Sequence, residues 1–221
     1  MYMYTTLRAQ DGHILNAYVA GNETAKAGIV VLQEIFGVNS HIRDVADFFA
    51  AQGYRVIAPA LFDRVQNNIE LGYTAEDIGK GLEIRSEIAQ ELVMLDIDAA
   101  VRALGQFVNV GVVGYCWGGT LAWLAACQNE KVAAASCWYG GGIVQYANEQ
   151  SSVPVQMHFG ELDKSIPASD VQTIRAAQPG VEIFEYPAVD HGFGCDQRGS
   201  YNGEATELAR ERTLSFFAKH L

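Results

Sequence analysis

The sequence predicts an α/β chain: a mostly parallel central sheet with helices on both faces and an antiparallel hairpin at its start. Three observations predict it. Short β-branched runs recur, helical stretches separate them, and most runs are nearly continuous in apolar residues, as strands buried on both faces are. The hairpin comes first, because 4–7 and 14–20 flank Asp11-Gly12, a turn signal. The first parallel strand follows at 28–32. Ile42, Val45, Ala46 and Phe49 then sit at i, i+3, i+4 and i+7 of a helix, with Asn39 or Ser40 as N-cap and Gly53 at its far end. After a strand at 54–58, a single long helix is expected from about 83 to 104. Ile84, Ile88, Leu92, Leu95 and Ala99 form its apolar stripe, and its acidic residues face water. Strands at 110–113, 132–136, 153–159 and 181–186 complete the sheet.

Composition bounds the rest. With 49% hydrophobic and 19% charged residues among 221, the chain has apolar surface enough for a core and is not disordered. Lys plus Arg number 15 against 26 Asp plus Glu, a net charge of -11 with no basic cluster, which excludes a nucleic-acid partner. The longest apolar run, around 121–127, is far below the ~20 residues of a membrane span, and Met1-Tyr-Met-Tyr-Thr-Thr lacks a signal-peptide layout. The expectation is a cytoplasmic protein without membrane contact. No repeat or linker marks a boundary, so 1–221 is read as one domain, with a monomer as the default. Cys116, Cys127, Cys137 and Cys195 show no C-x-x-C spacing and no His/Asp/Glu group has metal-ligand spacing, so free thiols and no metal are expected.

In parallel sheets chemistry gathers at the carboxyl ends of the strands. Gly114-Tyr115-Cys116-Trp117-Gly118-Gly119 follows a strand and opens an apolar helix, which is the layout of a nucleophile elbow with Cys116 in place of the usual serine. A helix N-terminus favours a thiolate, and the Trp117 N–H points where an oxyanion would form. Asp163 and His191 stand in the loops after two later strands, and the order Cys, Asp, His is that of a triad. His191 would take or pair with the thiol proton, Asp163 would fix its tautomer, and Cys116 would attack a carbonyl. The loop Gln33-Glu34-Ile35-Phe36-Gly37 after the first parallel strand would supply a second oxyanion N–H, from Ile35. Glu34 is unusual there: a carboxylate beside an elbow lies in solvent or meets a cation or a thiol proton.

These motifs, with the closing Ala209-Arg-Glu-Arg-Thr-Leu-Ser-Phe216, resemble the dienelactone hydrolase (carboxymethylenebutenolidase) family of the α/β-hydrolase superfamily over nearly the whole chain. The resemblance implies a catalytic Cys116, His191 and Asp163, oxyanion donors on Ile35 and Trp117, and a Glu34 that holds the resting thiol and takes its proton when substrate arrives. It further implies opening of an activated lactone such as dienelactone, in degradation of chlorinated aromatics, through a cysteinyl thioester and without metal or organic cofactor. The partner is then a small-molecule lactone or ester. A substrate carboxylate needs a local cation in so acidic a chain, and Arg198 and Tyr201 are the nearest polar candidates. Trp138 and Tyr139 either line the pocket or pack the core. His158, within a strand, reads as a satisfied core residue. A general carboxylesterase or lactonase, and a non-catalytic small-molecule binding protein, are the alternatives.

Overall fold

The computed structural model describes residues 3–107 and 109–221. The chain divides into two compact units, the first ending at Gly111 and the second beginning at Val112.

The first unit opens on the expected hairpin, β1 (Met3–Arg8) and β2 (Ile14–Ala20), in antiparallel register with Leu7 opposite Leu15. Gly12 takes φ 90 in its turn, a value open to glycine at little cost. β3 (Gly28–Leu32) and β4 (Arg55–Pro59) pair in parallel, β2 joins β4 antiparallel, and the order is β1-β2-β4-β3. Every residue of β3 is buried, which explains its unbroken apolar run. Helix α1 (Ser40–Ala51) buries Ile42, Val45, Ala46 and Phe49, and Asn39 caps it by accepting the Ile42 N–H at 3.3 Å.

The expected long helix is two helices. α2 (Ala75–Ser86) begins at a Thr74/Asp77 capping box, and α3 (Gln90–Ala103) starts after a break at Glu87 to Ala89. The buried residues of α3 are Val93, Asp96, Ile97, Ala99, Ala100 and Val101, so Ala99 of the expected stripe is buried while Leu92 is exposed. Asp96 occupies a core position among them, so reading it as water-facing displaced the stripe. Its carboxylate is fully buried and held by Arg64, with Nε to Oδ2 and Nη2 to Oδ1 both at 2.7 Å. Arg64 Nη1 also reaches Asp11 Oδ2 at 2.8 Å, so one guanidinium ties the hairpin loop, the short 3-10 turn Leu61–Arg64 and α3 together.

The second unit takes up β5 (Val110–Tyr115) near its start, then runs through α4 (Trp117–Gln128), β6 (Val132–Trp138), β7 (Val155–Gly160), α5 (Ala168–Ala177), β8 (Glu182–Tyr186) and α6 (Gly203–His220). The strand order is β5-β6-β7-β8, with β6, β7 and β8 parallel. The strand boundaries lie within two residues of those expected. α4 is buried along Trp117 to Ala126, so its sequence is apolar all round rather than striped. Among the described residues no helix is long and apolar enough to cross a membrane.

Removing the cation from a buried pair strands the remaining charge and typically costs about 3–5 kcal/mol. Arg64→Leu is therefore expected to lower unfolding stability by about that amount, read from the urea midpoint. A shift below about 1 kcal/mol would mean that Asp96 finds other compensation.

Candidate active site

The elbow lies where β5 runs into α4. Cys116 takes φ 55 and ψ -115, in the left-handed region that a side chain disfavours. Its neighbours explain how that conformation persists. The Cys116 N–H donates to the Trp138 carbonyl at 3.0 Å, and its own carbonyl accepts from Gly119 N at 3.0 Å and Thr120 N at 3.3 Å. A Cβ on Gly114 would lie 1.9 Å from the Gly118 oxygen, and one on Gly119 would lie 2.4 Å from the Trp138 oxygen, so both positions need glycine. Cys116 thus sits at the N-cap of α4 with its side chain part-exposed, and Trp117 is the first helical residue. Thr120, on the same first turn, accepts the Gly142 N–H at 3.0 Å and pins the loop after β6.

A carboxylate and an imidazole come from the segments after β7 and β8. Asp163 follows β7 with its side chain fully buried; Oδ1 accepts the Ser165 N–H at 2.8 Å and Oδ2 meets His191 Nδ1 at 2.6 Å. Asp163 accepts only, so Nδ1 carries a proton. The other ring nitrogen is then the one available for the hydrogen bond between His191 and Cys116. The three residues expected to act together are thus assembled as an acid, a base and a thiol in one hydrogen-bonded line. Burial disfavours the imidazolium, but the Cys116 sulfur and the Asp163 carboxylate outweigh it, and His191 is pushed up to about 10.

His158 shows the opposite case. Nδ1 lies 2.8 Å from the Tyr186 hydroxyl and Nε2 lies 2.8 Å from Gln156 Oε1. The amide oxygen only accepts, so Nε2 carries the proton and Nδ1 accepts from the tyrosine. Burial, reinforced by the Arg212 charge, takes this histidine down to about 3. It is the satisfied core residue that the sequence suggested.

The remaining candidates are placed as follows. Trp138 is buried, stacks on Phe193 with centroids 5.6 Å apart and donates Nε1–H to Thr213 Oγ1 at 3.3 Å. Tyr139 is buried too, but it meets the His191 ring edge-on at 5.2 Å. The Arg198 guanidinium packs on Gly192, where a Cβ would come within 2.6 Å of Nη1, so a cation lies one residue from the base. Tyr201 is exposed, with its N–H on the Arg198 carbonyl at 3.1 Å. Glu34 and Ile35 belong to the first unit and follow β3. Glu34 is fully buried and accepts from the Tyr73 hydroxyl at 3.2 Å, and Asn39 Nδ2 donates to that hydroxyl at 3.1 Å. Tyr73 carries no sequence signal beyond standing just before the Thr74 cap. The Ile35 carbonyl packs on Gly81, where a Cβ would lie 2.0 Å away.

Because the folded value of His191 lies above 6.5, the stability its charged form contributes is complete below about pH 6.5 and is lost as pH rises towards about 10. The urea midpoint of the wild type should therefore fall across that window relative to His191→Gln. Parallel curves for the two proteins would contradict the protonated pair.

Comparison with known proteins places the chain in a family. The profile of the dienelactone hydrolase family matches residues 15–221, across both units. A Synechocystis protein named "Putative carboxymethylenebutenolidase" is 37% identical over 212 residues, 87% of this chain and 86% of its own. A Yersinia pestis protein of the same name is 34% identical over 235 residues, 98% of this chain and 87% of its own. The crystal structure named "Putative Dienelactone Hydrolase" from Klebsiella pneumoniae has a TM-score of 0.87 at 30% identity, over 100% of both chains. The expected α/β-hydrolase class, mostly parallel with an antiparallel start, is therefore the fold of this chain. On a profile match spanning nearly its full length, the chain belongs to the dienelactone hydrolase family and is a hydrolase.

Proposed function

We propose that this hydrolase opens an activated lactone or ester, of which dienelactone is the type, through a cysteinyl thioester on Cys116. The observation that carries the reading is the line from Asp163 through His191 to Cys116, with a 2.6 Å bond at its acid end and the thiol on a left-handed elbow. Thiolate Sγ adds to the carbonyl carbon, and the oxyanion is assigned to the first turn of α4, with the Trp117 N–H as donor. The C–O bond then breaks as His191 gives its proton to the leaving oxygen. Water next attacks the thioester, His191 takes its proton, and Sγ leaves, which restores the thiolate and imidazolium with which attack began. Asp163 stabilises the imidazolium at each stage and is not itself protonated. An enolate or phenolate leaves a thiol adduct far more easily than an amine does, so the site suits activated esters rather than peptides.

The roles of Glu34 as thiol-proton acceptor and Ile35 as second oxyanion donor are carried over from the family resemblance. The chain is taken as one functional domain because a single family profile runs through it. Arg198 is assigned to a substrate carboxylate, for which a guanidinium offers two parallel donors.

The test is hydrolysis of dienelactone and of an aryl ester by purified protein, with Cys116→Ala as the blank. Turnover of either substrate that vanishes in the variant supports the thioester route. Turnover that survives it sinks that route, and cleavage of the aryl ester alone moves the substrate to other esters and lactones. Arg198→Ala is expected to raise KM for a carboxylate-bearing lactone by about 10- to 100-fold, with kcat little changed and an uncharged aryl ester unaffected. Equal losses on both substrates would remove the carboxylate assignment.

A further inference from the structure

The catalytic base stands at the end of a strained turn. Between β8 and His191 the chain runs Tyr186-Pro187-Ala188-Val189-Asp190, and Ala188 takes φ 56, which its side chain disfavours. The segment after β7 runs alongside. Glu161 N–H donates to the Tyr186 carbonyl at 3.0 Å, and Leu162 N–H donates to the Val189 carbonyl at 2.8 Å. Gly160 permits this approach, since a Cβ there would lie 2.5 Å from the Val189 oxygen. A side-chain bond reinforces the seam, from the Ala188 N–H to Glu161 Oε2 at 2.9 Å. Asp163 follows two residues later, so the loops that carry acid and base are stitched together immediately before the 2.6 Å contact between them.

We propose that Glu161 is a positioning residue for His191: its carboxylate accepts the Ala188 N–H, holds the left-handed turn and so sets the base against Asp163. The inference rests on the reading of His191 as the base. Glu161 is exposed and its carboxylate bonds the Ala188 N–H, so it acts through the turn. Without the carboxylate, Ala188 loses the partner that offsets its unfavourable conformation. The turn then relaxes, and displacements below an ångström at a catalytic base lower turnover.

The experiment compares wild type, E161A, E161Q, A188G and E161A/A188G on an aryl ester, with Cys116→Ala as the blank. E161A is expected to lower kcat by about 10-fold with KM within about twofold. E161Q restores most of the loss, because its amide oxygen accepts the same N–H. Glycine adopts positive φ without cost, so the effect of removing the carboxylate shrinks to under about threefold in the A188G background. The His191 ring signals of E161A should also titrate below those of the wild type, as the Asp163 contact loosens. E161S removes the acceptor while keeping a polar surface, and should reproduce the loss if E161A does not fold. A wild-type kcat in both truncated variants, an equal loss with Ala and with Gly at 188, or an unmoved His191 titration overturns the proposal. Activity that survives in Cys116→Ala overturns the nucleophile reading instead, whatever Glu161 does.

Discussion

A non-glycine residue in the left-handed region costs about 1 kcal/mol or more, and the second unit is arranged so that Cys116 bears that cost. Three features hold it there. The Trp138 carbonyl takes the Cys116 N–H, the first turn of α4 takes its carbonyl, and glycines at 114 and 119 let backbone approach backbone where any side chain would collide. The geometry is therefore a property of β5, α4 and the end of β6 jointly. Its consequence is chemical, because the sharp turn leaves the thiol part-exposed at a helix N-terminus while the surrounding backbone is buried.

The same unit contains two histidines, and the partners of only one of them overcome the effect of burial. His191 faces an acceptor-only carboxylate and a thiol, and is raised to about 10. His158, bonded to an amide oxygen and a tyrosine hydroxyl, falls to about 3 because it is buried, with the Arg212 charge adding to the effect. Burial alone would lower both. A proton that can be given and taken back requires the first set of partners, whereas the second fixes a neutral tautomer and ties α6 to β7 and β8 through Thr213 and Tyr186.

What the residues revealed in advance follows from where the information lies. The elbow was legible because its glycines and cysteine are contiguous and their spacing is the geometry. Asp163 and His191 were legible because each follows a strand that its own apolar run announces. The break between α2 and α3 was not, because Asp96 fills a core position that only the distant Arg64 makes tolerable. The Thr74-x-x-Asp77 cap that starts α2 lies ahead of the stripe at 83–104 and was passed over in the sequence. Glu161 and Tyr73 were silent for one reason: each acts through a bond to a residue remote in sequence, at 188 and 34, and no local pattern encodes such a pairing.

Charge imposes one more constraint on the site. A chain of net charge -11 repels an anionic ligand at long range, although salt screens exposed charges beyond about 8–10 Å. Any attraction for a carboxylate must then arise within that distance of the reacting carbonyl. The second unit sets a protonated imidazole and a guanidinium one residue apart, with Arg198 packed on the glycine that follows His191. Gly192 takes φ 73, and the absent side chain is what lets the guanidinium lie so close. In the proposed reaction the His191-Gly192 pair thus serves two ends: the histidine would supply the mobile proton, and the glycine admits a fixed positive charge beside it. A local cation of this kind can select among substrates by their charge without changing the acid character of the protein as a whole.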